Sequence, residues 1–120
     1  MRQPQAGTYE SAVMESVLRL VTEPTRHRLL RALLEGERTV GELVGQLQGE
    51  QSNLSHHLAT LRDAGLVQVR RSGRHQVYRI ADGEVARLLR EVDALEGRLE
   101  QLLYSLRLGI PAGGQFHGYG

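Results

Sequence analysis

The chain has 120 residues, of which 40% are hydrophobic and 24% are charged; none is cysteine, and the formal net charge is +1. A chain of this length is expected to form one small domain with a modest core. The absence of cysteine excludes disulfides, thiolate metal sites and cysteine catalysis. No apolar run reaches the length of a membrane span or a signal-peptide core, which predicts a cytoplasmic protein without membrane contact. Aromatic residues make up 4% of the chain, which argues against a protein that stacks on single-stranded bases.

The first third of the chain predicts a short arm and three helices. Residues 1–9 are polar and include Pro and Gly, so we expect a disordered arm. A turn at Glu23-Pro24 is followed by a helix that begins at Pro24 or Thr25, runs to Glu35 and is ended by Gly36. Thr39 is suited to be the N-cap of the next helix. The predicted helices are residues 10–21, 25–35 and 40–47.

A helix-helix turn is expected at Gly49-Glu50, followed by a helix that begins at about Gln51 and ends at Asp63 or Ala64. Gly and Glu in that turn predict a loose turn and a weak N-terminal cap. Apolar residues at 54, 58 and 61 are spaced 4 and 3 apart, so they form one helical stripe that faces a core. The other faces carry short hydrogen-bonding side chains, which let a helix sit deep in the major groove of DNA. These candidate base-contacting residues are Gln51, Ser52, Asn53, Ser55 and His56.

A basic hairpin follows this helix directly. Its strands are expected at residues 66–69 and 76–80, with the turn at Ser72-Gly73. Between Arg62 and Arg79 there are five Arg and one Asp, a local positive patch suited to the phosphates of DNA. The alternative is an ordinary solvent-exposed edge strand, whose charged side chains only protect the sheet from aggregation. The residues expected to contact the flanking DNA backbone or the minor groove are Arg70, Arg71, Arg74, His75 and Gln76.

The last predicted helix runs from Ala81 to about Leu106. Its apolar residues recur at spacings of 3 and 4 over three heptads, as in a coiled coil. We expect Val85, Leu88 and Leu89 to join the core of the chain. The apolar positions from Leu95 onward extend beyond what a small domain can cover, and they predict a dimer interface. These positions are Leu95, Leu99, Leu102 and Leu106.

Taken together, these motifs resemble the DNA-binding core of the ArsR/SmtB family of bacterial transcriptional repressors. The resemblance covers roughly residues 13–106. It is carried by the SNLSHHL run at residues 52–58, by Leu61, Arg62 and the AGLV run at 64–67, and by Gly73, Arg74, Tyr78 and Arg79, with Pro24, Thr25, Arg26, Arg28, Leu29, Leu30 and Leu33 upstream.

The resemblance implies a mainly α-helical winged helix-turn-helix with a small β-hairpin. It also implies a homodimer formed by the first and last helices, which adds Val13 and Val17 to the expected interface. Such a dimer presents two helices to a pseudo-palindromic operator in double-stranded DNA. The expected domain spans residues 10–108, between the arm at 1–9 and a flexible Gly-rich tail at 109–120.

One branch of the family binds a transition metal on the last helix, and the matching positions here are Asp82, Glu84, Leu95 and Arg98. Leu95 cannot ligate and Arg98 is cationic, so that site is broken, and no cofactor is predicted. Asp82, Glu84 and His117 of the tail are retained as weak candidate ligands.

The sequence therefore predicts a dimeric DNA-binding repressor that is released by an unidentified signal. Two alternatives stay open: a winged-helix module that binds protein instead of DNA, and a metal-responsive regulator with a non-standard His/carboxylate site. An enzyme is disfavoured, because the chain has no nucleophile motif, no phosphate-binding glycine loop and no HExxH.

Overall fold

A computed structural model describes the backbone of residues 6–109 and the side chains of residues 12, 13 and 15–109. The chain divides into two compact units, one up to Ala86 and the other from Arg87 onward. No helix in the described range is long and apolar enough to cross a membrane. The elements are α1 (Ala6–Thr22), α2 (Pro24–Leu34), β1 (Arg38–Thr39), α3 (Val40–Leu47), α4 (Gln51–Asp63), β2 (Val67–Ser72), β3 (His75–Ile80) and α5 (Gly83–Leu108).

The core of the first unit is built around α2, which contacts α1, α3, α4 and β3. Leu29, Leu30 and Leu33 fall on one face of α2 and are buried. The predicted stripe of α4 is confirmed, because Leu54, Leu58 and Leu61 are 2%, 0% and 0% exposed. These leucines fix the inner face of α4 and therefore determine which residues point outward.

The sheet has three antiparallel strands in the order β1-β3-β2. The hairpin was expected, whereas β1 was missed because a strand of two residues has no periodicity to detect. Ser72 pairs with His75, so the turn consists of Gly73 and Arg74, and the predicted turn at Ser72-Gly73 is wrong by one residue. Gly73 has a φ of 62°, which suits the first central position of a two-residue hairpin turn.

Two predicted helix boundaries shift. The first helix begins at Ala6, so residues 6–9 are helical rather than part of a disordered arm, because a helix can start before its apolar face does. The last helix begins at Gly83, and Oδ1 of Asp82 accepts a hydrogen bond from the Val85 amide at 2.9 Å, which caps it. Residues 1–5 of the expected arm and residues 110–120 of the expected tail lie outside the described residues.

The turn between α3 and α4 corrects another expectation. Glu50 was expected to weaken the start of α4, but its carboxylate accepts hydrogen bonds from the amides of Asn53 (2.9 Å) and Ser52 (3.1 Å). These bonds satisfy two amides that the first turn of a helix leaves unpaired. They also hold the pKa of Glu50 below its ordinary value. Glu50 is therefore an effective cap, and its negative charge lies at the positive end of the helix.

Gly49 is required by a close approach in the same turn. A Cβ atom added to Gly49 would lie 3.0 Å from Cγ and Cδ1 of Leu54, which is fully buried in the core. Leu54 thus packs directly over the turn backbone, and this contact fixes the position of the first turn of α4.

Gly49→Ala should lower the free energy of unfolding by about 1–3 kcal/mol, the usual cost of overpacking a close-packed site. Gly45→Ala is the matched control: a Cβ at Gly45 has no neighbour within 4 Å, and Ala favours a helix interior by up to about 1 kcal/mol. Urea denaturation of both variants measures the difference. Equal stability of the two variants would show that Leu54 does not need the space at Gly49.

Candidate nucleic-acid interface

The outward face of α4 carries the candidate base-contacting residues. Gln51, Ser52 and Asn53 form its first turn and are exposed, and His56 is exposed one turn later. Ser55 is half-buried, so less of its side chain is available than the sequence suggested. Four small or medium polar side chains therefore stand at one end of a helix whose opposite face is anchored by leucines.

The start of α4 lies beside the wing, defined as residues 67–80, and together with α3 they line a cavity of about 460 Å³. Half of the ten predicted DNA-binding residues meet there, namely Gln51 from α4 and four residues of the wing. Sequence reasoning missed the contribution of β1 and α3. The full lining is Thr39, Val40, Gly41, Gln51, Arg71, Arg74, His75 and Gln76.

The side of the cavity formed by α3 is the amino end of that helix. Oγ1 of Thr39 accepts a hydrogen bond from the Glu42 amide at 3.1 Å, and Oε1 of Glu42 accepts one from the Thr39 amide at 2.8 Å. This reciprocal cap engages the third amide of the helix, while the amides of Val40 and Gly41 come before it, where a helix provides no internal acceptor. The predicted N-cap at Thr39 is confirmed, and the T-x-x-E pattern at 39–42 is the sequence signal of this capping box.

The cavity can attract a negatively charged group. Arg71 and Arg74 supply two guanidinium groups, and helix amino ends carry a partial positive charge. Glu42 is the nearby acid, but its carboxylate is committed to the cap: the hydrogen bond from the Thr39 backbone is the largest cause that lowers its pKa, and the charges of Arg38 and His75 lower it further. The site therefore suits an anion with several acceptor oxygens, such as a phosphate.

Arg70 has a different environment from its neighbour Arg71. Successive side chains of a strand point to opposite faces, and Nη2 of Arg70 donates to Oε1 of Glu37 at 2.7 Å. This hydrogen bond, opposed by partial desolvation and aided by the charges of Arg70 and Arg79, lowers the pKa of Glu37. Arg70 was predicted to contact DNA. Arg70 forms an ion pair with Glu37 and is not among the residues that line the cavity, and its contact with DNA stays a prediction.

The candidate dimer residues are largely exposed. On α5, the exposed fractions are 49% for Leu95, 51% for Leu99, 39% for Leu102 and 65% for Leu106. Val13 of α1 is 47% exposed, and Val17 is half-buried. Leu89 is buried as expected, but the prediction that Leu88 joins the core is wrong, because Leu88 is 45% exposed. The heptad position of Leu88 places it on the same stripe as the exposed leucines that follow it.

Two of the weak candidate metal ligands, Asp82 and Glu84, lie at the start of α5. Asp82 uses Oδ1 to cap α5, and Glu84 lies in the first turn of the same helix, where a carboxylate is favoured by the helix dipole. His117 lies outside the described residues. The roles that the structure gives Asp82 and Glu84 are those of ordinary helix-start residues.

The family model described as "Bacterial regulatory protein, arsR family" matches residues 23–69. An uncharacterized HTH-type transcriptional regulator of Mycobacterium tuberculosis, Rv0081, is 46% identical over 70 residues, which cover 58% of this chain and 61% of that protein. The chain thus matches about three-fifths of the length of this relative. The biofilm growth-associated repressor of Agrobacterium fabrum is 38% identical over 79 residues, 66% of this chain and 68% of that protein.

Solved structures agree with these similarities. The crystal structure of Rv0081 from Mycobacterium tuberculosis superposes with a TM-score of 0.70 at 36% identity and covers 74% of this chain and 90% of that one. The homodimeric winged helix-turn-helix DNA-binding domain of Mb0332 from Mycobacterium bovis, solved by NMR in solution, gives a TM-score of 0.68 at 29% identity. That match covers 84% of this chain and 94% of that one.

Proposed function

The chain belongs to the ArsR family of bacterial regulatory proteins, and from this premise we propose that it is a homodimeric, sequence-specific DNA-binding repressor of transcription. The observation that carries the proposal is the cavity that brings the first residue of α4 together with the arginines of the wing. A helix that contacts bases and a basic hairpin that contacts phosphates need this proximity to engage one stretch of duplex.

We assign base contact to the exposed end of α4, which we now call the recognition helix. Ser52 and His56 are four residues apart, so they lie on the same side of this helix. Hydroxyl and imidazole groups can hydrogen-bond to base edges in the major groove. The leucine stripe on the inner face keeps these side chains directed outward.

We assign the cavity to a phosphate of the DNA backbone. The guanidinium groups of Arg71 and Arg74 would bind its oxygens, and the amides of Val40 and Gly41 would donate from the end of α3. This contact would fix the register of the recognition helix without reading sequence. Thr39, Val40 and Gly41 thereby join the residues proposed to contact DNA.

We propose that two copies associate through their exposed apolar residues. The leucines of α5 form a seam of the coiled-coil type, and in a monomer they would be exposed to solvent. Val13, an exposed apolar residue of a second helix, α1, is assigned to the same interface. A symmetric pair presents two recognition helices to an inverted repeat, and the similar Mb0332 domain is described as homodimeric.

The rival readings are weaker on specific grounds. A module that only binds protein has no need of arginines grouped around a cavity at the start of a recognition helix. Oδ1 of Asp82 accepts the hydrogen bond that caps α5, and we propose that the signal acts at a site other than Asp82 and Glu84. Because the related proteins are regulators, we propose a binding function without catalysis, exercised in the cytoplasm where bacterial DNA is found.

Removing the cations of the cavity should weaken binding to every DNA sequence. With Arg71 and Arg74 both changed to Ala, the slope of log affinity against log salt should fall by about 0.9 for each lost phosphate contact. With Ser52 and His56 both changed to Ala, operator affinity should fall by about 1–3 kcal/mol per lost base contact, while random DNA is bound as before. Fluorescence anisotropy at several salt concentrations measures both effects.

The matched control for the wing variant changes Arg87 and Arg90 of α5 to Ala, which removes the same charge from an exposed surface far along the chain. This control should preserve the salt slope. An unchanged slope in the wing variant would remove the cavity from the interface. Equal losses on operator and random DNA in the recognition-helix variant would show that Ser52 and His56 only position the protein.

Releasing Arg70 from its ion pair should strengthen DNA binding. In Glu37→Gln, Arg70 faces a neutral amide in place of a carboxylate, so the ion pair is lost. Affinity for all sequences should therefore rise, and the salt slope should steepen by up to about 0.9. Glu35→Gln is the matched control, since it removes the same charge from an exposed residue that lies 3.8 Å from Arg38. Equal affinity of the two variants would show that Glu37 does not restrain Arg70.

A further inference from the structure

The guanidinium group of Arg26 connects three helices of the first unit. Arg26 lies in the first turn of α2, and its Nε donates to the carbonyl of Leu20 in α1 at 2.7 Å. Its Nη2 donates to the carbonyl of Arg19 at 3.4 Å. Its Nη1 donates to Nδ1 of His57 in α4 at 3.2 Å. One side chain therefore contacts the end of one helix and the middle of another.

The contacts with α1 have a clear physical cause. The last carbonyls of a helix have no partner within that helix, and they carry a partial negative charge. The guanidinium group offers five N–H donors in a rigid plane, so it can bind two carbonyls and still reach a third acceptor. The amide of Arg26 also donates to Oε1 of Glu23 at 2.8 Å, which holds the base of the side chain in place.

The contact with α4 defines the state of His57. An arginine can only donate, so in this hydrogen bond Nδ1 of His57 is the acceptor, which assigns the ring proton to Nε2. The side chain of His57 is 14% exposed, and Oε1 of Glu23 lies 3.9 Å from the same nitrogen. His57 precedes the buried Leu58 by one residue, so it sits beside the leucine stripe and not on the exposed side of Ser52 and His56.

We infer that Arg26 is a positioning residue for the recognition helix and acts through His57. Apolar burial holds α4 against the core but is non-directional, whereas a hydrogen bond has a preferred distance and angle. The link from Arg26 to His57 would therefore set the rotation of α4 about its own axis relative to α1. This inference rests on the proposed function, because the orientation it fixes is the one that reads DNA.

The link would also connect the proposed dimer interface to the recognition helix. The helix that Arg26 caps is α1, which carries Val13 and Val17, and these residues are assigned to the dimer. A change at the carboxyl end of α1 would reach the recognition helix through a single side chain. Arg26 and His57 would then affect discrimination between DNA sequences more than attraction to DNA in general.

A pair of His57 variants separates the hydrogen bond from packing. His57→Asn retains an acceptor oxygen near the position of Nδ1, whereas His57→Leu has similar bulk and no acceptor. Binding to the operator and to random duplex DNA is measured for both, using a DNA sequence selected by the wild-type protein. We expect His57→Leu to lose about tenfold in the ratio of operator to random affinity, and His57→Asn to stay within about threefold of wild type.

Arg26→Ala and the double variant with His57→Leu complete a mutant cycle. If the two residues act as one unit, the double variant should lose no more operator affinity than Arg26→Ala alone, which already removes the link to His57. Arg28→Ala is the matched control, because it removes another arginine from the same helix. Nη2 of Arg28 donates to the Leu47 carbonyl of α3 at 2.8 Å. The control should keep the ratio of operator to random affinity.

Additive losses, or equal ratios for the Leu and Asn variants of His57, would overturn the inference. If Arg26→Ala does not fold, the comparison of His57→Leu with His57→Asn still tests the inference, because both variants leave the contacts of Arg26 with α1 intact. The ring nitrogen shifts of His57, read by NMR without DNA, provide a separate test. A proton on Nε2 in the wild type that redistributes between the ring nitrogens in Arg26→Ala supports the hydrogen bond. This result holds even if no operator is found, and the missing operator would then count against the proposed function and not against the hydrogen bond. A proton on Nδ1 in the wild type contradicts the link.

Discussion

Burial of three leucines on the inner face of α4 is the constraint on which the site depends. Leu54, Leu58 and Leu61 are spaced so that they fall on one stripe, and each is almost completely removed from solvent. Burying one such side chain stabilises the fold by about 1.5–3 kcal/mol, so a rotation of α4 that exposed the stripe would cost much of the stability of a small domain. The polar residues between these leucines are consequently held on the outside.

The surroundings of α4 refine this arrangement at three points. Gly49 lets Leu54 pack over the turn, and Glu50 caps the first turn with its carboxylate. The contact of Arg26 with His57 ties the middle of the helix to α1. The start of the helix is thereby ordered beside the wing, where the proposed phosphate contact lies. Directional and close-packed contacts thus act together on the element that is proposed to read DNA.

Charge is distributed unevenly around the same site. Arg70 is neutralised by Glu37, whereas Arg71 and Arg74 line the cavity with the amino end of α3. Alternation along β2 produces this difference, since neighbouring arginines point to opposite faces of the strand. Arg71 and Arg74 are therefore the arginines of the wing that meet at the cavity.

Sequence reasoning was sufficient for the features that repeat locally. The stripe of α4, the hairpin and the long last helix follow from periodicity and turn residues. The short strand β1, the cap by Glu50, the pairing of Arg70 with Glu37 and the contact of Arg26 with His57 did not follow. Most of these depend on residues far apart in the chain, and the exception, Glu50, uses a residue type that is not among the favoured caps. The resemblance identified the family, but the three-dimensional arrangement showed which arginines share a site.

Selection of duplex DNA from a random pool by the full chain tests the central proposal most directly. A homodimer that reads with two recognition helices should enrich an inverted repeat whose half-sites are one helical turn apart, about 10–11 base pairs, or a multiple of that distance. The selected sequence should bind roughly a thousandfold or more tighter than random DNA at physiological salt. Recovery of no preferred sequence, or of a single half-site bound by one chain, would contradict the proposal.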